Sequence, residues 1–534
     1  WADAQRIFFR AEFSRKFDSV AFIVNDSVKE GNMAQGAQLF ARVNFSAGNP
    51  APIYMKVALS PTSEEGAQLN MQTELSGWGF EQTGVADAKA AWNKELNKVK
   101  VSTQDAVSKK IFYTSLYHTL FAPSEFCDVN GDYYGADKQI HHGKGFKNYT
   151  TFSLWDTYRA AQPLMTILQP ERMSDIINTM LHIYEQQGKL PVWHLMGCET
   201  NCMVGNPGVP VVADAILKDI KGFNSELAFK ALKESSMLPE RGMEYRIQYG
   251  FIPADKMTEA IAYDMEYAIA DWAVAQAARR LGKQDDYTYF LERSKSYKNY
   301  FDASTGFMRG KLSDGSWRTP FSPYASAHRD DDYCEGNAWQ YTWLVPQDVE
   351  GLVACFGNKD AFVHKLDSLF LASGDMGEAS SPDISGLIGQ YAHGNEPSHH
   401  ITYLYTLVGQ PWKTAERVKE ILHTMYTDQP DGLSGNEDVG QMSAWYILSS
   451  FGFYQVEPAG GKFVFGYPNF EKVEIAVPGG QFVIKREDND QKNCYIQGVL
   501  LNGKEYKKAW IDYADIMKGG ELTFLMGDKQ TVWY

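Results

Sequence analysis

The stretch Gly432-Leu433-Ser434-Gly435-Asn436-Glu437-Asp438-Val439-Gly440-Gln441-Met442-Ser443-Ala444-Trp445-Tyr446 decides how the rest of the chain is read. A glycine-punctuated loop carries the polar triplet Asn436, Glu437, Asp438 and runs directly into the apolar, helix-like segment 442–451. Adjacent acids at the entrance of a buried helix are costly unless something neutralises or uses them. Two other stretches share this character, Cys334-Glu335-Gly336-Asn337-Ala338-Trp339-Gln340-Tyr341 and Gly394-Asn395-Glu396-Pro397-Ser398-His399-His400. All three are read as converging on one pocket, and the pocket as a sugar site.

Glu335 stands among Tyr333, Trp339 and Tyr341. Aromatic surroundings disfavour a charged carboxyl and raise its pKa, which is what a general acid needs near neutral pH. The competing reading is a glutamate stabilised at a helix N-terminus. Asp438 fits a general base, a metal ligand or a helix cap, capping being the commonest role for such a residue. In the stretch 393–400 the oxygens of Asn395 and Glu396 suit a hard cation such as calcium, while a histidine pair points to zinc. His399 and His400 are adjacent and diverge on a helix, so oxygen ligands are favoured, with the histidines supporting them or touching sugar. Trp155-Asp156-Thr157-Tyr158-Arg159 follows a strand-like run, 149–154. An Asp beside an exposed Trp binds vicinal hydroxyls while the indole stacks on the ring; the alternative is a helix cap. The run Asp128-Val129-Asn130-Gly131-Asp132 opens like a calcium loop, but Tyr133 stands at the sixth position and Gln139 at the twelfth. It is read as a hairpin turn.

The chain has 534 residues, enough for two or three domains. Aromatic content is 14%, with 13 Trp and 30 Tyr, which suits sugar stacking and large helical enzymes alike. A net charge of −15 without any Lys/Arg block argues against nucleic acid and against an anionic membrane surface. No apolar run reaches the ~18 residues of a spanning helix. The opening Trp1-Ala2-Asp3, without an initiator Met, reads as a processed or truncated N-terminus. The six cysteines form no metal-spaced set and read as mostly buried thiols.

Residues 1–86 read as about six short strands separated by Asn, Gly and Pro turns, part of a β-sandwich. Residues 87–100 read as a helical linker. From 101 to 455 helices dominate, including 172–187 with Gly188 as its stop, 258–281, 285–301 and 414–426. Roughly ten to twelve helical segments without a fixed repeat fit an (α/α)₆ toroid better than a solenoid. Residues 456–534 revert to a small β module, with Asn502-Gly503 as a hairpin turn.

Five motifs in this order, WDTYR (155–159), LPVWHLMGCET (190–200), EGNAWQYTWLVPQD (335–348), GNEPSHH (394–400) and GLSGNEDVGQMSAWY (432–446), resemble glycoside hydrolase family 92, calcium-dependent exo-acting α-mannosidases of bacteria. LNGKEY (501–506) matches as well. The resemblance implies an inverting enzyme that removes terminal α-mannose from N-glycans or mannans. Glu335 would be the general acid and Asp438 the base; Asn395, Glu396 and Asp438 would gather calcium. Trp155, Asp156, Trp193, Glu199, Glu396 and His399 would hold the sugar. It further implies a periplasmic, cell-surface or secreted location. The chain departs from the pattern twice. The first part of the N-terminal sandwich is missing, so a separate chain would complete the pocket. Asn436 stands where some relatives have an acid, leaving Asp438 to act alone. Other readings on the same scaffold are a non-catalytic mannan-binding protein and a mannose-1-phosphate-linkage hydrolase; Glu335, rather than Gln, argues against the latter.

Overall fold

The computed structural model describes residues 4–29, 31–48, 51–487 and 494–534, with backbone alone for 81–83. The strand Phe8–Phe13 pairs antiparallel with Met55–Ser60, and Ser19–Val24 lies between Ser27–Lys29 and Leu39–Asn44. The helix Glu64–Glu74 packs on the first pair; Ser63 caps it by accepting the Gly66 N–H. Buried Asp128 ties this region to the middle of the chain: its carboxylate accepts from Ser60 Oγ (2.8 Å), Asn70 Nδ2 (2.8 Å) and the Thr62 hydroxyl.

The helix Ala86–Leu96 leads to the strand Val99–Ser102, whose Val99 and Val101 point inward and Lys100 outward. That alternation seats it at the edge of a six-stranded sheet built otherwise from the end of the chain: Lys504–Glu505, Tyr495–Leu501, Gly520–Gly527, Gly480–Glu487, Lys472–Val477, Val99–Ser102. Asn502 (φ 53°) and Gly503 (φ 73°) form the expected tight hairpin turn.

Helices fill most of the sequence between. Pro170–Gln187 starts on a proline and ends at Gly188, whose φ of 83° stops it. Ala260–Arg280, rich in alanine, is buried nearly all round. The helix expected over 285–301 ends at Arg293 and gives way to a short 3₁₀ turn, Ser296–Asn299. The reason is a buried ion network: Arg246 donates to the Arg293 carbonyl (2.9 Å), to Ser296 Oγ (3.1 Å) and to Asp264 (2.6 Å), pulling the chain off the helical path. The first long helix, Ala106–His118, packs directly on Gln441–Phe451. All six cysteines are free thiols, and no helix among the described residues is long and apolar enough to cross a membrane.

Candidate active site

The sequence Gly432–Tyr446 folds as a loop and a buried helix, and a division of labour between its two acids explains the geometry. Glu437 does the capping: its carboxylate accepts the N–H of Gly440 and that of Ser443 (3.3 Å). Asp438, at φ 50°, is thereby left for another task. In the neighbouring loop Asn337 is the cap of Ala338–Tyr341, accepting the Trp339 N–H (2.9 Å) while Gln340 accepts the Asn337 N–H (2.7 Å). Glu335 is likewise relieved of capping; its carbonyl accepts from Asn395 Nδ2 (2.8 Å).

Asp156 comes from the short helix Leu154–Thr157 and takes a hydrogen bond from the Ser153 hydroxyl. Ser153 faces Trp193 across a strand pair. Glu396, in a 3₁₀ turn after Asn395, has zero exposure, and neither of its carboxylate oxygens has a hydrogen-bond partner among the described residues. The carboxylates of Asp156, Glu396 and Asp438 offer oxygens all within 4.8 Å of one another. Gln441 fastens the three segments: its Oε1 accepts the N–H groups of Ala160 (2.9 Å) and Ala161 (3.0 Å), and its Nε2 donates to His399 Nδ1 (2.9 Å). His399 then donates from Nε2 to the His393 carbonyl (3.1 Å), which fixes its tautomer.

Three carboxylates this close repel one another. Burial, then the charge of Asp438, holds Asp156 well above the usual carboxylate range, and burial does the same to Glu396. Burial pushes Asp438 up to about 6 and Glu335 up to about 8, the latter helped by the charges of Asp383 and Asp438. Arg159, the cation acting on both Asp156 and Glu396, is itself paired with buried Glu266. The cluster is therefore short of positive charge.

Not every expected sugar contact is free to make one. Trp155 is 1% exposed and packed in the core, so it offers no open stacking face; Trp193 is only half-buried. Glu199 accepts backbone N–H groups from Val192, Trp193 and Asn201, each at 2.9 Å, and so shapes the loop that carries Trp193. His399 is fully buried between Gln441 and the His393 carbonyl. Asp383 was not anticipated: its Oδ1 accepts from Asn436 Nδ2 at 3.1 Å. Its only sequence signal is the turn-like Ser380-Ser381-Pro382-Asp383.

Sheltered carboxyl groups with raised pKa values are what a glycoside hydrolase uses as its acid and base. Residues 66–528 match the glycosyl hydrolase family 92 catalytic domain, and the chain belongs to that family. A family GH92 alpha-mannosidase from Bacteroides thetaiotaomicron, solved in complex with mannoimidazole, matches with a TM-score of 0.94 at 38% identity, over 99% of this chain and 71% of that one. A family GH92 inverting mannosidase from the same organism matches with a TM-score of 0.87 at 31% identity, over 98% of this chain and 73% of that one. An uncharacterized secreted glycosidase of Arthroderma benhamiae is 24% identical over 93% of this chain, which spans 63% of that relative's length.

Proposed function

We propose that this chain carries the catalytic machinery of an inverting, exo-acting α-mannosidase that removes terminal mannose from N-glycans or mannans and works with a bound calcium ion. The observation that carries the reading is the cation-poor triad of buried Asp156 and Glu396 with half-buried Asp438, and Glu335 beside it. Both solved relatives are named as mannosidases, one of them as inverting.

The donor set fits the ion. Glu396 presents two unpartnered buried oxygens, and an all-carboxylate cluster suits a hard divalent cation. Asp156, Glu396 and Asp438 would hold calcium, with Asn395 adjoining; when bound, the ion would orient the 2- and 3-hydroxyls of the terminal mannose and stabilise charge there. Glu335, kept protonated near neutral pH by burial, gives its proton to the leaving oxygen. Asp438 takes a proton from the water that attacks the opposite face, and the two carboxyls would lie ~6.5–9.5 Å apart. Trp193, half-buried and opposite Ser153 in the strand pair, would touch the sugar.

In this reading residues 101–455 form an (α/α)₆ toroid; contact between Ala106–His118 and Gln441–Phe451 supports ring closure. Residues 1–86 are part of a β-sandwich, 87–100 a linker and 456–534 a β module. The first strand pair leaves Phe9 65% and its partner Leu59 56% exposed. Apolar faces of this kind are covered in a working protein, here by further sandwich strands. The secreted relative supports a location outside the cytoplasm.

The test is release of mannose from α-1,2-, α-1,3-, α-1,4- and α-1,6-linked dimannosides with and without EDTA. Inversion gives β-mannose as the first-formed anomer by proton NMR; α-mannose, or no mannose from any dimannoside, overturns the reading.

A further inference from the structure

The late strands and the helical region meet in a groove that the mechanism above does not use. Its volume is about 520 Å³, within the ~300–1,000 Å³ of small-molecule sites. One wall is the three-stranded sheet of Phe453–Gln455, Lys462–Phe465 and Trp510–Asp512. The other is the helix Val349–Cys355 and the start of Lys359–Leu369. None of its lining residues belongs to the triad, and Glu335 is not among them. The motif 335–348 joins the two places: it begins with Glu335, and its last residues, Pro346, Gln347 and Asp348, line the groove.

The lining is chemically mixed. Val353, Leu407 and Val464 give it apolar surface, and half-buried Trp510 gives it an aromatic one. The indole is held in place: Nε1 donates to Asp512 Oδ1 (3.2 Å), and Lys462 Nζ lies 5.4 Å from its ring centroid. Asp348 is committed to the fold, accepting from the Gly351 N–H (3.0 Å) and the Tyr297 hydroxyl (2.7 Å). The remaining charges balance, Glu350 and Glu457 against Lys359 and Lys462, and Glu457 and Lys462 pair at 2.9 Å. Such a lining selects neither an anion nor a cation. Gln347 is 7% exposed; its Nε2 donates to the Ser294 carbonyl (3.5 Å), and its Oε1 has no partner among the described residues. A buried carbonyl oxygen in that state is costly until something donates to it. Glu350 and Lys359, both exposed, have no partner among the described residues either.

An aromatic plane, apolar surface, unpaired donors and acceptors and no net charge together match a neutral sugar chain, with its C–H faces and its hydroxyls. We propose that this groove is a second, non-catalytic binding site for a neutral oligosaccharide. A sugar ring lies against Trp510, and its hydroxyls donate to Gln347 and Glu350 and accept from Lys359. The identity of that sugar rests on the mannosidase reading: an N-glycan or mannan carries many mannose units, and the groove holds one part of the chain while the cleft trims another end.

The experiment is affinity electrophoresis in gels with and without soluble mannan, the cleft being blocked by excess mannoimidazole, the ligand of the solved relative. The parent stays retarded by mannan under the block, and Trp510→Ala loses that retardation. The double variant Glu350→Ala/Lys359→Ala, at two exposed positions without partners in the fold, loses part of it and guards against a poorly folded Trp510→Ala. Kinetics give the second readout: kcat/KM on an aryl α-mannoside stays within about twofold of the parent, and on soluble mannan it falls about threefold or more, through KM. Retardation that the block abolishes, or that both variants keep, overturns the inference and leaves the mannosidase reading intact. A parent dimer by light scattering that Trp510→Ala dissolves gives the groove to a second copy and overturns it too. A parent retarded through Trp510 that cleaves no mannoside upholds the groove and overturns the mannosidase reading, and one neither retarded nor active overturns both.

Discussion

Glu335 and Asp438 both stand on left-handed backbone, φ 50° at each, and the charge of Asp438 helps push the Glu335 carboxyl up. Non-glycine residues avoid this region, and holding one there costs on the order of 1–3 kcal/mol. Both positions lie in loops that use glycine freely, so the strain marks a requirement for the carboxyl itself. Neighbours enforce it: Asn395 grips the Glu335 carbonyl, and Glu437 pins Gly440 just beyond Asp438. Glu259, whose charge also acts on Glu335, is a third acid in the same conformation at φ 55°.

Replacing Glu335 by Gln preserves shape and removes the proton. A mannoside with a sugar leaving group should lose ~10²–10⁴-fold in kcat, the usual contribution of a general acid. An aryl mannoside, whose phenolate departs readily, should lose far less. Asp438→Asn should abolish both, because water attack is needed whatever leaves. Steady-state kinetics of the two variants on the two substrates checks this, and equal impairment by Glu335→Gln would assign that residue a binding or structural role.

Calcium should stabilise the protein as well as support turnover. An ion that binds only the folded state raises the melting midpoint with concentration. Calcium added to EDTA-stripped protein should raise it, and Glu396→Gln should abolish most of that shift by removing a ligand from the triad. Differential scanning fluorimetry over a calcium titration reads this without activity. A shift given by zinc and not by calcium would contradict the oxygen-donor assignment.

The legible parts of the fold were those set by local chemistry. Gly188 ends its helix because the chain turns left-handed there (φ 83°), and a glycine after an apolar stripe announces that. The helix 285–301 was overdrawn because its periodicity continues while Arg246, far off in sequence, captures the Arg293 carbonyl. The site divides the same way. Glycine loops bearing Glu335, Glu396 and Asp438 are visible as motifs, but the burial of Trp155 is not, since Trp beside Asp reads alike whether it faces cleft or core. Gln441 and Asp383 matter only through tertiary contacts with His399 and Asn436, and nothing local distinguishes them.

His194 makes stability depend on pH. It is 3% exposed, neither ring nitrogen has a hydrogen-bond partner among the described residues, and burial lowers its pKa to about 4. The unfolded value is ~6.5, so between roughly 6.5 and 4 the unfolded chain binds more protons than the folded one. This contribution is present above ~6.5 and is lost as the pH falls toward 4. Urea unfolding at neutral pH and at about 4.5 should show the parent losing some 2 kcal/mol more than His194→Leu over that interval. Parallel losses would mean that the imidazole is not held neutral.

Lys218 and Asp214 should be mutually dependent. Their side chains are 0% and 6% exposed, with Nζ 2.6 Å from Oδ2. Nζ also donates to Thr166 Oγ1 (3.1 Å) and lies 5.3 and 5.1 Å from the ring centroids of Phe463 and Tyr513. The other oxygen of Asp214 accepts the Gly460 N–H at 2.8 Å, so the pair joins the helix Gly208–Leu217 to the strands beyond the helical region. Burial lowers the Lys218 pKa, the sign of an ammonium removed from water. Lys218→Met fills the same volume yet leaves Asp214 buried without its cation, which should cost about 3–5 kcal/mol. Adding Asp214→Asn removes the stranded charge while keeping an acceptor for Gly460, and should recover a large part of that loss. Urea midpoints of the parent, the single variants and the double variant form the cycle that measures the coupling. A Lys218→Met protein within about 1 kcal/mol of the parent would show that water reaches the pair and that the joint does not depend on it.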